Sequence, residues 1–183
     1  MLAVFSVTLL SCDDENNSDD KVNYFKYDGI TYNIESGFLN NNGIITENNQ
    51  LTYNLGLAFF TSGINYNSSS GEVSGTGSYL FFEIFSTSSN QLTSGTYSFD
   101  LTESINTGTF DYATAGINFN LSTNSGTLIN IKAGTLAIDL SDSNYEITIN
   151  LTTSDDKQIT GFFRGSLTSV NLLNIEIKNS FKY

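Results

Sequence analysis

The sequence contains no histidine and no tryptophan, and it has a single cysteine among its 183 residues. Without histidine the chain can build neither a Ser-His-Asp nor a Cys-His catalytic group, and it lacks the commonest ligand of zinc, copper and iron. Lysine and arginine number 7 against 19 acidic residues, so a basic groove for a phosphate backbone cannot be assembled. We therefore expect no cofactor and no nucleic-acid partner.

The composition favours strands over helices. Hydrophobic residues make up 39% of the chain, but charged residues only 14%, against roughly 25% in an average soluble domain. Asn, Ser, Thr and Gly take the place of the missing charges, and they suit strands and turns. No stretch has the apolar spacing of an amphipathic helix. The length allows one domain, and we predict that this domain is all-β.

We expect the first twelve residues to lie outside the domain. Residues 1–10 are apolar and uncharged, too short for a bilayer that needs about 20 residues, but of the length of a signal-peptide core. Leu9-Leu10-Ser11-Cys12 resembles the lipobox of bacterial lipoproteins. The resemblance implies a signal peptide over 1–11 and a lipid anchor on Cys12 that holds the protein in a membrane. Because no basic residue opens the run, we expect the true start upstream of Met1. The alternative is a buried N-terminal strand with an incidental cysteine.

An acidic run follows the cysteine. Residues 13–20 contain five carboxylates and no apolar residue, so we expect 12–21 to form a disordered tether. This run resembles the surface-export signal of Bacteroidota lipoproteins. The resemblance implies that Asp13, Asp14 and Glu15 direct the protein to the outer face of the outer membrane. The alternative function of the run is that of a solubilising spacer.

Residues 22–183 are expected to form the domain. Asp28-Gly29 between two apolar-alternating segments predicts a hairpin, and 50–61 predicts a further strand. The segment 79–85 is apolar on both faces except at Glu83, which predicts a central strand covered on both sides. We interpret 64–77 as a loop.

A meander of alternating strands is expected after Gly134. In 145–151 the apolar residues face inward, and in 159–167 Phe163 does so; 172–178 is predicted to close the domain. About ten to twelve short strands predict a single antiparallel β-sandwich, with a closed calycin-like β-barrel as the alternative.

The domain resembles the small lipoproteins of unknown function of flavobacteria and Bacteroides. Two stretches carry this resemblance, 27–32 and 134–167. It implies a compact exported β domain, and no catalytic residue is carried over from it.

Few residues of the sequence are candidates for a catalytic or metal-binding role. Glu83, alone among apolar neighbours, could serve a carboxylate-dependent glycoside hydrolase, but the sequence pairs no second acid with it. Asp139–Asn144 and Asp155-Asp156 offer oxygen ligands, yet hairpin turns also favour these residues, so we predict no metal site.

Binding is the function that we favour. The alternation directs Phe162 and Arg164 away from the face that buries Phe163, and an arginine beside an aromatic is typical of interfaces. We predict a non-catalytic cell-surface lipoprotein that is a binding or accessory module for a glycan or a protein. The lack of tryptophan counts against a glycan, and the alternative is a small carboxylate-dependent glycoside hydrolase.

Overall fold

The computed structural model describes residues 22–47, 50–102 and 105–170. These residues form twelve strands and no helix, within the expected range of ten to twelve. The strands are β1 (Tyr24–Tyr27), β2 (Ile30–Asn33), β3 (Ser36–Glu47), β4 (Gln50–Phe60), β5 (Ile64–Asn67), β6 (Glu72–Ser86), β7 (Gly95–Phe99), β8 (Thr109–Asn120), β9 (Ser125–Ser141), β10 (Asn144–Thr153), β11 (Gln158–Gly165) and β12 (Thr168–Val170). The all-β prediction is confirmed.

The strands belong to one sheet with the order β12-β3-β4-β6-β8-β7-β9-β10-β11-β1-β2, to which β5 adds by pairing with β6. The prediction of a purely antiparallel sheet is wrong, because β12 runs parallel to β3 and β7 runs parallel to β8. Apolar alternation specifies which face of a strand is buried, but it carries no information on the direction of the neighbouring strand. The sheet is therefore mixed.

The sheet curves into a half-barrel that brings its two ends together. The chain passes from β2 to β3 and from β11 to β12, so short links join strands from opposite ends of the sheet order. Across this junction the Phe59 and Phe163 rings lie 4.9 Å apart. The β-sandwich, with a calycin-like barrel as its alternative, stays a prediction.

The main core lies on the concave face. The inward residues Ile147, Ile149 and Leu151 of β10 are buried, as is Phe163 of β11, and all four join one cluster that also includes residues of β4, β6 and β8. The inward alternation predicted for 145–151 is confirmed. Burial of apolar area on this scale is the main favourable term in folding.

A second, smaller core covers the opposite face of the central strands. It contains Phe60 of β4, Tyr79 and Phe81 of β6, and Phe119 of β8. Since Leu80 and Phe82 of β6 point into the main core instead, β6 is buried on both faces, as predicted for 79–85.

The predicted loop over 64–77 is instead β5 and the first part of β6, which pair with each other. The glycines that suggest a loop serve close strand approach: a Cβ on Gly75, whose φ is +102°, would lie 2.0 Å from the Gly63 carbonyl oxygen. Glycine is needed wherever the backbone comes this near. The Asp28-Gly29 hairpin, in contrast, forms as predicted, with φ values of 50° and 80°.

The predicted signal peptide (1–11), the tether (12–21) and the strand 172–178 lie outside the described residues. Within the described part of the chain, no helix is long and apolar enough to cross a membrane.

Candidate binding site

Phe162 and Arg164 lie on the outward face of β11, close to its end. In the register of the sheet, Arg164 is opposite Glu146 of β10, and Phe162 lies between Thr148 of β10 and Tyr24 of β1. The predicted direction of both side chains agrees with this placement. Phe162 is nevertheless only 8% exposed, so its ring is packed into the sheet surface rather than protruding from it.

Arg164 is held by three separate interactions. Its Nη2 lies 2.7 Å from Oε1 of Glu146, and its guanidinium carbon is 5.7 Å from the centre of the Phe162 ring. Its backbone amide donates to Oδ1 of Asn23 at 2.7 Å, and its carbonyl accepts from Nδ2 of Asn23 at 3.0 Å. A charged group fixed in this way loses little conformational entropy when it binds a ligand.

Arg164 and Glu146 border a shallow cavity of about 450 Å³, which we call the Arg164 cavity. It is lined by Asp139, Ser141, Asn144, Glu146 and Arg164. Asp139 is positioned from outside the strand pair, because the Ser94 hydroxyl donates to its Oδ1 at 3.4 Å. Carboxylates, a hydroxyl, an amide and a guanidinium thus converge on one space, a set that can both donate and accept hydrogen bonds.

The β9–β10 hairpin places four of the five lining residues, two of them beside its tip. Asp142 and Ser143 form its tip with φ values of 49° and 73°, the left-handed geometry of a tight hairpin turn. Ser141 and Asn144 flank this tip and pair with each other. The stretch 139–144 weighed above as an oxygen-ligand set is therefore a turn, and it contributes one edge of the Arg164 cavity.

Glu83 lies elsewhere, on the second-core side of β6. It is 7% exposed, between Gly56 of β4 and Tyr112 of β8. Burial, together with the charge of Glu83, raises the pKa of Tyr112 to about 12. Glu83 lines neither the Arg164 cavity nor a second cavity of about 410 Å³ between the Ser68–Gly71 turn and β12.

Metal-ligating side chains are not clustered in the part of the chain that the structure describes, where no three of Asp, Glu, His or Cys meet. Asp155 and Asp156 instead contact lysines, with Asp155 3.8 Å from Lys157 and Asp156 bonded to Lys132.

Cys12, Asp13, Asp14 and Glu15 lie outside the described residues. No family model, curated protein or solved structure matches the chain.

Sequence reasoning singled out Phe162 and Arg164 as a binding pair and 139–144 as a set of oxygen ligands, but it did not bring the two together. Alternation places Glu146 on the outward face, but only the pairing of β10 with β11 brings it to Arg164. Asn23 precedes β1, and its two bonds to the Arg164 backbone span 141 residues of sequence. Neither contact leaves a signal in the local pattern.

Proposed function

We propose that the protein is a non-catalytic binding module whose partner docks at the Arg164 cavity. The observation that carries the proposal is the convergence of Asp139, Ser141, Asn144, Glu146 and Arg164 on one shallow space. Shallow, open and polar sites with a fixed arginine suit recognition of a surface ligand. Enzyme sites more often enclose their substrate in a concave and mostly apolar pocket.

Glu146 and Arg164 are the pair to remove in a test. Glu146→Ala combined with Arg164→Ala leaves neither charge without its partner. A matched control is Lys132→Ala with Asp156→Ala, which deletes another exposed ion pair. Exposed pairs contribute at most about 1 kcal/mol to stability, so we expect both double variants to fold.

The experiment measures retention of polysaccharides and of cell-surface proteins on immobilised protein, with reducing ends assayed in the same samples. We expect the cavity variant to lose at least about tenfold in affinity, or 1.4 kcal/mol, and the control to bind like wild type. Equal binding by both variants would contradict the proposal. Release of reducing ends that Glu83→Gln abolishes would favour the hydrolase instead.

We also propose that a lipid on Cys12 holds the module at the outer face of the outer membrane. The lipobox-like residues 9–12 and the acidic run after them support this proposal. A cysteine that carries one acyl chain binds a membrane reversibly, and one that carries two or more binds it firmly. The Cys12→Ala variant should be absent from the membrane fraction, whereas the Ser11→Ala variant should remain in it.

Replacing Asp13, Asp14 and Glu15 by Ala should retain the anchor but protect the protein from protease added to whole cells. Unchanged digestion would mean that the acidic run acts only as a spacer.

A further inference from the structure

The outward faces of five neighbouring strands form one continuous surface that includes the Arg164 cavity along one side. We call it the polar platform and define it by the outward-facing residues of 135–141, 144–152, 158–164, 24–26 and 31–33. These segments are adjacent in the sheet order β9-β10-β11-β1-β2. At about 4.8 Å between strands, the platform is roughly 19 Å wide.

Cross-strand pairs arrange its side chains in rows. One row runs from Ala137 through Thr148, Phe162 and Tyr24 to Asn33. The next row begins at Thr135 and crosses β10, β11 and β1 to Thr31 by the same registers. Both rows lie across the strand direction, and the row of Arg164 and Glu146 borders them on one side.

The platform is electrically neutral in an acidic protein. It has two cations, Lys26 and Arg164, and two carboxylates, Asp139 and Glu146, so its net charge is 2 − 2 = 0. The whole chain has a formal net charge of −12. A polyanion would be repelled by the rest of the molecule, and a polycation would be attracted to acidic surface elsewhere.

Most of the uncharged side chains of the platform carry hydroxyl or amide groups. Five threonines face outward on the platform: Thr31, Thr135, Thr148, Thr152 and Thr160. A threonine hydroxyl donates and accepts hydrogen bonds, as does the amide of an asparagine. Half-buried Tyr24, which pairs with buried Phe162, adds an aromatic side chain in the middle of the platform, and the C–H face of a sugar ring can pack on such a side chain.

We infer that the polar platform binds an uncharged polysaccharide, laid across the strands along these rows with the Arg164 cavity at its side. This inference rests on the proposed binding function and names its ligand class. The ligand supplies many hydroxyls and no charge, which matches the side chains and the neutrality of the platform. A protein partner docked at the same place is an outcome that the test distinguishes.

The test uses affinity electrophoresis of the full chain through gels containing dextran, laminarin or galactomannan, with polygalacturonate and chitosan as charged comparisons. We expect retardation by at least one neutral polymer. It should persist when salt is raised from about 0.15 M to about 1 M, because no charge attraction is screened.

Thr148→Asp with Thr160→Asp places two carboxylates in the middle of the platform. Since desolvating an unpaired carboxylate is costly, this variant should bind at least about tenfold more weakly with an unchanged melting temperature. Thr76→Asp with Thr127→Asp, at exposed strand threonines outside the platform, should bind like wild type. Thr148→Val with Thr160→Val keeps the shape without the hydroxyls and should weaken binding several-fold; it serves if the Asp variant does not fold.

Retardation only by a charged polymer, or equal retardation of the platform and control variants, would overturn the inference. No binding to any neutral polymer would overturn it as well. If the Glu146→Ala and Arg164→Ala variant still loses a protein or charged partner in that case, the binding function stands, but its ligand is not an uncharged polysaccharide. If that variant loses nothing, the binding function fails as well.

Discussion

The outer face of the sheet has two parts that differ in burial although they belong to one continuous sheet. Over β4, β6 and β8 it is apolar and buried as the second core, with Phe60, Tyr79 and Phe81. Over β9, β10 and β11 it is polar and mostly exposed, and β10 alternates buried and exposed residues along its length. A strand apolar on both faces and a strand that alternates therefore have different surroundings in the same sheet.

The largest expected effect comes from placing a carboxylate in each part. Phe81→Asp should prevent folding, because Phe81 is 5% exposed and an unpaired buried carboxylate costs several kcal/mol. Thr148→Asp, on the exposed part of the same face, should change the free energy of unfolding by less than about 1 kcal/mol. Thermal melts followed by circular dichroism measure both.

Ile147→Asp provides the reference for loss of the main core, since Ile147 is fully buried beside Thr148. If the Phe81→Asp variant has the same melting temperature as the Thr148→Asp variant, the second core adds nothing to stability. The two parts of the outer face would then not differ in what they contribute to the fold.

A smaller effect is expected from Gly116→Ala. A Cβ at this position would lie 2.1 Å from Cε1 of Tyr79, and the Tyr79 ring is fully buried. The ring must move, so we expect a loss of about 1–3 kcal/mol, as for other overpacked sites. Urea unfolding measures it.

Gly56→Ala is the matched control on the same face. The nearest atom to its added Cβ is Cε2 of Phe81 at 3.4 Å, an ordinary contact. Because alanine restricts the unfolded chain more than glycine, this change should be neutral or slightly stabilising. Equal losses at both positions would mean that the Gly116–Tyr79 contact is not what makes β8 sensitive.

The smallest effect concerns the loop charges at the far end of the β10–β11 hairpin. The hydrogen bond to Asp28 raises the pKa of Lys157, and the hydrogen bond from Thr153 lowers the pKa of Asp155. A lysine whose pKa is raised in the folded state stabilises the fold at every pH below its ordinary pKa. This stabilisation is lost as the pH rises through the pKa of the folded state. The lowered Asp155 pKa acts in the opposite sense: its stabilisation exists above the ordinary value and is lost as the pH falls through the folded one.

Lys157→Met should therefore reduce the fall in melting temperature at alkaline pH and barely change it near neutrality. Lys26→Met, on the polar platform, is the control. A large drop in the melting temperature of the Lys157 variant at neutral pH would contradict the expectation that these exposed loop charges contribute least to stability.

The sequence predicted the features that depend on neighbouring residues. The Asp28-Gly29 turn and the inward face of β10 follow from left-handed backbone preference and from the period of two in a strand. The prediction failed for β5 and the start of β6, because glycines that permit close strand approach look in sequence like those of a loop.

By itself, the sequence determined the all-β class, the doubly buried central strand and the outward direction of Phe162 and Arg164. Only the tertiary structure decided the parallel pairs β12–β3 and β7–β8, the contact of Glu146 with Arg164 and the bonds from Asn23. The physical reason is that side-chain alternation encodes burial residue by residue. Strand order, direction and register are instead set by the free energy of the whole sheet, in which residues far apart in sequence compete for the same edges.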